Sequence, residues 1–158
     1  MKIQLYQLGI VFMSNFEKIR RIALIEARFY SDISDELVNG AKNVAKDNGF
    51  STSRIEVPGV FEIPAALNRI WNSGSFSGVV ALGCVIRGET DHYDHICREV
   101  SRALMDLSVN HSIPMGFGVL TCENYEQAKL RANIEKRDIG GRAALACIKM
   151  IKIMEDTL

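Results

Sequence analysis

Hydrophobic positions follow two different spacings along the chain, and the two spacings alternate. Apolar runs of strand length occur at residues 22–25, 79–86 and 115–120, and residues 53–57 predict a weaker strand that Pro58 and Gly59 end. Between and after them, apolar residues recur at the 3.6-residue period of an amphipathic helix, at residues 31–48, 64–74, 94–111, 125–132 and 141–154. Strands that alternate with helices predict βαβ units. We therefore expect an α/β fold, a three-layer α/β/α sandwich around a central, mainly parallel four-stranded sheet.

The run at residues 79–86 predicts the centre of that sheet. It is nearly all apolar and does not alternate between apolar and polar residues, which is typical of a parallel strand covered on both faces. No internal repeat and no linker divides the sequence, so we expect a single domain over residues 1–158. Residues 1–16 can add a further strand, which could pair with a neighbouring subunit.

Composition and charge exclude several classes of function. Hydrophobic residues make up 47% of the 158 residues, and 19 basic residues balance 19 acidic ones. With no net charge and no basic run, the chain has no positive field that would attract nucleic acid or an anionic membrane surface. No run approaches the roughly 18 apolar residues of a membrane span. The four cysteines stand singly without metal-ligand or redox spacing, so we interpret them as small hydrophobic residues of a cytoplasmic protein.

Aromatic, acidic and glycine residues follow the predicted strands at the edge where open α/β sheets bind ligands. The first strand is followed by residues 28–30, which include Phe29 and Tyr30. The second, third and fourth are followed by residues 58–62, 87–92 and 121–124. This clustering predicts a site for a small polar molecule that contains a flat ring.

Each of these residues has two interpretations at this stage. Phe29 and Phe61 either stack on a planar heterocycle or cap the core. Glu62, between two apolar neighbours, is expected to be partly shielded from water, with ligand hydroxyls or a nearby arginine as its partners. Residues 88–90 precede a helix, so their N–H groups either receive a phosphate or form a plain turn. Neither nucleotide-binding glycine fingerprint occurs in the sequence.

His92 and His95 lie near the start of the third predicted helix. Their spacing permits a metal site, but no second ligand cluster appears in the sequence, so we expect no metal. A histidine in the crevice is better suited to moving protons near neutral pH. No G-x-S-x-G nucleophile motif occurs, and covalent acyl chemistry is therefore not supported.

A series of motifs in colinear order resembles the lumazine synthase family. The matching segments are ARF at 27–29, VPGVFEIP at 57–64, LGCVIRGETDHYD at 82–94 and FGVLT at 117–121, with further matches at 123–124, 126–128 and 131–132. The resemblance implies a flavodoxin-like sandwich that needs no cofactor. It also implies the condensation of 5-amino-6-(ribitylamino)uracil with 3,4-dihydroxy-2-butanone 4-phosphate, a step of riboflavin biosynthesis that releases water and phosphate.

The resemblance also implies a role for each matched residue. Phe29 would stack on the pyrimidine, His92 would move protons, and the other substrate contacts would come from Val60, Phe61, Glu62, Val85, Ile86, Gly88, Glu89 and Thr90. The family builds its site between subunits of a pentamer, so Phe117 and Arg131 would come from the neighbouring chain. Larger assemblies built from pentamers are left open.

Two of the departures from the family pattern keep alternatives open. Tyr30 stands where the family commonly has asparagine, and Ile139 stands where it commonly has a lysine near the site. A homologue that binds a lumazine or flavin without turnover is therefore the alternative function. A flavodoxin-like electron carrier is disfavoured, because its phosphate loop after the first strand would be rich in Ser, Thr and Gly.

Overall fold

The computed structural model of the protein describes residues 19–157, and the strand predicted within residues 1–16 lies outside them. The strands are β1 (Arg21–Ala27), β2 (Ser51–Val57), β3 (Gly78–Ile86) and β4 (Met115–Cys122). The helices are α1 (Ser31–Asp47), α2 (Ile63–Trp71), α3 (His92–Asn110), α4 (Tyr125–Ala132) and α5 (Ile139–Asp156). A single 3-10 turn, Val60–Glu62, leads into α2.

The four strands form one parallel sheet in the order β2-β1-β3-β4. One apolar cluster lies between the sheet and helices α1 and α5, and it contains Leu24, Leu37 and Ile148. A second cluster lies on the opposite face, between the sheet and helices α2 and α3, and it contains Ile25 of β1, Leu67 of α2 and Leu104 of α3. The predicted α/β fold, with helices on both faces of a parallel sheet, is confirmed.

Strand β3 has the buried position that its composition predicts. Its first seven residues, Gly78 to Cys84, are buried, and only Val85 and Ile86 at its carboxyl end are partly exposed. The third helix begins at His92, two residues before the predicted start. This places the histidine in the first turn of α3, beside the end of β3.

Strand β4 carries different residues on its two faces. Gly116 and Gly118 face helix α5, and a Cβ atom on Gly116 would lie 2.1 Å from the carbonyl oxygen of Ala143. Phe117, between them, points to the other face and is 46% exposed. Because the glycines have no side chain, the backbone of α5 can pack directly against the backbone of β4.

Helices α1 and α5 are also in close contact. A Cβ atom on Gly140 would lie 2.0 Å from the carbonyl oxygen of Leu37 on α1. Asp138, the residue before the first residue of α5, has a left-handed φ of 42° and accepts a hydrogen bond from the Gly141 N–H at 3.0 Å. The start of α5 is thus fixed by a side-chain cap and by contact with α1.

Cys84, Cys122 and Cys147 are buried and free, which confirms their interpretation as small hydrophobic residues. Burial raises the pKa of Cys84 and of Cys147 to about 12, so these thiols stay protonated at neutral pH. Among residues 19–157, no helix combines the length and the apolar character that crossing a membrane requires.

Candidate active site

A cavity of about 570 Å³ opens at the carboxyl ends of β1, β2 and β3, where the sequence predicts a ligand site. It is lined by Phe29, Tyr30, Gly59, Val60, Phe61, Glu62, Cys84, Val85, Ile86, His92 and Ile96. Seven predicted site residues therefore come together around one cavity, in which only a few polar groups interrupt an apolar wall.

Two aromatic rings extend from the cavity wall into solvent. Phe29 is 76% exposed and Phe61 is 62% exposed, so neither ring caps the core. The rings of Phe29 and Tyr30 make an edge-to-face contact, with centroids 5.0 Å apart and planes at 73°. An exposed ring at a cavity mouth offers a free face to a planar ligand.

The turn that carries Phe29 lies above a buried charge network. Glu26 is fully buried on β1, and its carboxylate accepts hydrogen bonds from Arg54 Nε at 2.6 Å, Arg28 Nη1 at 3.2 Å and Ser34 Oγ at 2.7 Å. Asp35 on α1 accepts further bonds from both arginines. The network joins β1, β2 and α1 beside residues 28–30.

This network also determines the ionisation of its carboxylates. Burial alone would raise the pKa of Glu26, but hydrogen bonds from Arg54 and Ser34 outweigh it and hold the pKa below its ordinary value. The Arg28 guanidinium lowers the pKa of Asp35 in the same way. Both carboxylates are therefore charged at neutral pH.

The second wall of the cavity comes from the 3-10 turn Val60–Glu62. Val60 is buried, whereas Glu62 is exposed, so the expected shielding of this carboxylate is wrong. The turn points Val60 to the core and directs the next two side chains outward. Glu62 Oε2 lies over Gly59, where an added Cβ would come within 2.9 Å. Among the described residues, no arginine pairs with Glu62, so its carboxylate is available to a ligand.

The loop from β3 to α3 contains the predicted phosphate residues, which do not line the cavity. Gly88, Glu89 and Thr90 are exposed, and a Cβ atom on Gly88 would meet nothing within 4 Å. There is open space above this loop, and His92 N–H lies 3.4 Å from Thr90 Oγ1 at its end. Backbone N–H groups ahead of a helix suit an anion.

Arg87 lies next to this loop but is fully engaged. Its Nε lies 3.0 Å from a carboxylate oxygen of Glu123, its Nη1 lies 3.0 Å from Asp94, and its guanidinium stacks 4.2 Å from the Tyr93 ring centre. The two carboxylates raise the pKa of Arg87. This arginine therefore ties β3, α3 and β4 together and is not a free cation for a ligand.

Phe117 and Arg131 lie away from the cavity of their own chain. Phe117 lines a second, apolar cavity of about 370 Å³, together with Met105 and Leu104 of α3. Arg131 is half-buried on α4, where its Nη1 donates to the carbonyl oxygen of Gln127 at 3.2 Å. Their assignment to a neighbour's site stays a prediction.

Four cavity residues were not predicted as site residues. Tyr30 and Gly59 directly follow strand ends, so the strand-end argument contained the signal for both. Cys84 and Ile96 resemble core residues in their sequence context, and nothing local distinguishes a cavity wall from the core. Among residues 19–157, no group of three or more histidine, cysteine or acidic side chains converges as a metal site.

Comparison with known proteins connects this geometry to one family. The family model described as 6,7-dimethyl-8-ribityllumazine synthase matches residues 20–155. A protein of that name from Agrobacterium fabrum is 48% identical over 137 residues, covering 84% of this chain and 93% of the relative. Its namesake from Methylorubrum populi is 45% identical and covers 84% and 82%, and the one from Desulfovibrio desulfuricans is 38% identical and covers 85% and 88%. The chain therefore belongs to the 6,7-dimethyl-8-ribityllumazine synthase family.

Proposed function

We propose that the protein condenses 5-amino-6-(ribitylamino)uracil with 3,4-dihydroxy-2-butanone 4-phosphate, as a transferase of riboflavin biosynthesis. The products are 6,7-dimethyl-8-ribityllumazine, water and inorganic phosphate. The observation that carries this proposal is the cavity at the sheet edge, which combines exposed aromatic rings, an exposed carboxylate with no arginine partner among residues 19–157, and a histidine. Membership of the family supplies the identity of the reaction.

The pyrimidine and its ribityl chain occupy the cavity. Phe29 offers a ring face to the pyrimidine, and the partly exposed end of β3, Val85 and Ile86, offers backbone groups to its edge. The turn with Val60 and Phe61 runs beside the ribityl chain. Glu62 accepts hydrogen bonds from ribityl hydroxyls, which its exposed carboxylate can do without breaking an ion pair.

The phosphate of the second substrate lies over Gly88, Glu89 and Thr90. Arg87 does not serve as its cation, because Asp94 and Glu123 already bind that guanidinium. A dianion held only by N–H groups still benefits from an arginine. We assign this role to Arg131 of a neighbouring copy of the chain, which completes the site.

His92 moves protons during the condensation. The primary amine attacks the ketone, and one water leaves as the imine forms. Loss of a proton from the neighbouring carbon expels phosphate and gives an enol, which tautomerises to a methyl ketone. The ribityl-bearing amine then attacks this ketone, and a second water leaves as the ring closes. These steps move protons between oxygen, nitrogen and carbon, and His92 reaches the cavity from the first turn of α3. A group in this role contributes typically 10²–10⁴-fold to the rate. Holding both substrates in register contributes the larger share.

The apolar surface around Phe117 supports an assembly in which sites lie between subunits. Phe117, Met105 and Val109 are 46%, 64% and 68% exposed, and the first two line the second cavity. An exposed patch of this kind is typical of a contact surface. The oligomer we propose is a pentamer, in which this surface meets the cavity face of the next subunit. Buried free cysteines fit a cytoplasmic location.

The test is a condensation assay with both substrates, followed by the absorbance of the lumazine product. Turnover by the purified protein, with a pentamer or a multiple of it in solution, is the expected result. Binding of the pyrimidine without product would contradict the catalytic proposal, and activity of a monomer would contradict the shared site. Phe117→Ala, which leaves the cavity of its own chain intact, is expected to weaken both assembly and turnover.

A further inference from the structure

Phe29 has little packing of its own to fix its ring. At 76% exposure its side chain has several staggered rotamers available in solvent, and ordering them on binding would cost affinity. The ring contact described for it is the edge-to-face contact with Tyr30 at 5.0 Å. The orientation of Phe29 therefore depends on the residue that follows it.

Tyr30, by contrast, is held from several sides. Its ring is half-buried against the core cluster of α1 and α5, and its carbonyl oxygen accepts the Ser34 N–H at 2.9 Å. On its outer side it meets the Tyr125 ring, with centroids 6.3 Å apart and planes at 61°. The Tyr125 hydroxyl in turn donates a hydrogen bond to Asp32. Tyr30 is therefore a packed ring next to an exposed one.

We propose that Tyr30 is a positioning residue, which holds the Phe29 ring in the orientation that stacks on the pyrimidine substrate. This inference rests on the proposed function, because it assigns the pyrimidine to the Phe29 face of the cavity. Tyr30 acts through Phe29, and the effect comes from its aromatic ring and not from its hydroxyl. Loss of one edge-to-face aromatic contact changes an equilibrium about 2- to 10-fold.

Two substitutions separate the ring from the hydroxyl. Tyr30→Leu keeps an apolar side chain against the core but removes the aromatic ring, and we expect it to raise the KM for the pyrimidine about 2- to 10-fold. The KM of this variant for the four-carbon phosphate, and its kcat, should stay within twofold of the wild-type values. Tyr30→Phe keeps the aromatic ring and should behave like wild type. Thermal unfolding of each variant confirms that the fold is retained.

A double-mutant cycle tests whether Tyr30 acts through Phe29. If it does, Tyr30→Leu has no further effect on the pyrimidine KM once Phe29→Ala is present. Full additivity would show that Tyr30 serves the substrate independently and would overturn the proposal. Equal increases of both KM values, or a Tyr30→Phe variant as weak as Tyr30→Leu, would overturn it as well.

A direct binding measurement separates failure of this inference from failure of the proposed function. If wild-type protein does not turn over the two substrates, the proposed function fails, and the same four variants are titrated with 6,7-dimethyl-8-ribityllumazine by fluorescence. Weaker binding by Tyr30→Leu, with wild-type binding by Tyr30→Phe, then supports the positioning role. Equal binding by all variants, or none by wild type, refutes it.

Discussion

Removing the carboxylate of Glu26 tests the buried charge network beside the cavity. Breaking a buried ion pair by deleting one partner costs about 3–5 kcal/mol, because the remaining charge stays buried. Here the partners Arg28 and Arg54 are 26% and 37% exposed, so water replaces part of what they lose. The Ser34 hydroxyl also loses its acceptor. We therefore expect Glu26→Ala to lower the free energy of unfolding by about 2–4 kcal/mol.

Urea unfolding at a fixed protein concentration measures this loss. Arg102 gives a matched control, because it also pairs with two carboxylates but is 60% exposed on α3. Arg102→Ala should change the free energy of unfolding by no more than about 1 kcal/mol. Glu26→Gln keeps the shape of the side chain and one acceptor, and its effect should lie between the two. If Glu26→Ala is no more harmful than Arg102→Ala, the network contributes no net stability and the reasoning is wrong.

Three further predictions concern pH, packing and catalysis. Folding lowers the pKa of Glu26, so the stability that its carboxylate contributes is present above the unfolded pKa and is lost as pH falls through the folded pKa. In urea unfolding, the free energy of unfolding of wild type should therefore decrease below about pH 4, and that of Glu26→Gln should decrease less steeply. Gly140→Ala brings a Cβ within 2.0 Å of a backbone carbonyl and should cost about 3 kcal/mol in the same assay, whereas Gly88→Ala, which meets open space, should unfold like wild type. In steady-state kinetics Arg131→Ala should reduce turnover more than His92→Ala, since it loosens the phosphate substrate; an inactive His92→Ala beside a mild Arg131→Ala would reverse that ranking.

The fold could be predicted because apolar spacing reports directly on burial. The run at residues 79–86 shows no alternation, and strand β3 is covered on both faces. The start of α3 was harder to predict from the sequence, because Asp91, the residue before it, makes no side-chain cap and the first turn carries no apolar stripe. A helix boundary of this kind depends on tertiary contacts, such as the Arg87–Asp94 pair.

The site could be located but not fully described from sequence. Strand ends converge at one edge of a parallel sheet, so Phe29, Glu62 and His92 are found around one cavity. The exposure of Glu62 could not be read from its apolar neighbours, because a 3-10 turn decides which way each side chain points. That Arg87 is already paired depends on Glu123, 36 residues away, and no local pattern reveals such a contact.

The alternation of Gly116, Phe117 and Gly118 in β4 has a consequence for how the chain folds. A slip of one residue in the pairing of β3 with β4 would turn the phenylalanine ring towards the backbone of α5, where even a methyl group does not fit. Misaligned sheets are thus rejected by steric collision as soon as α5 docks. The glycines on the inner face of β4 therefore enforce the correct pairing register of the strand whose outer face exposes an aromatic ring.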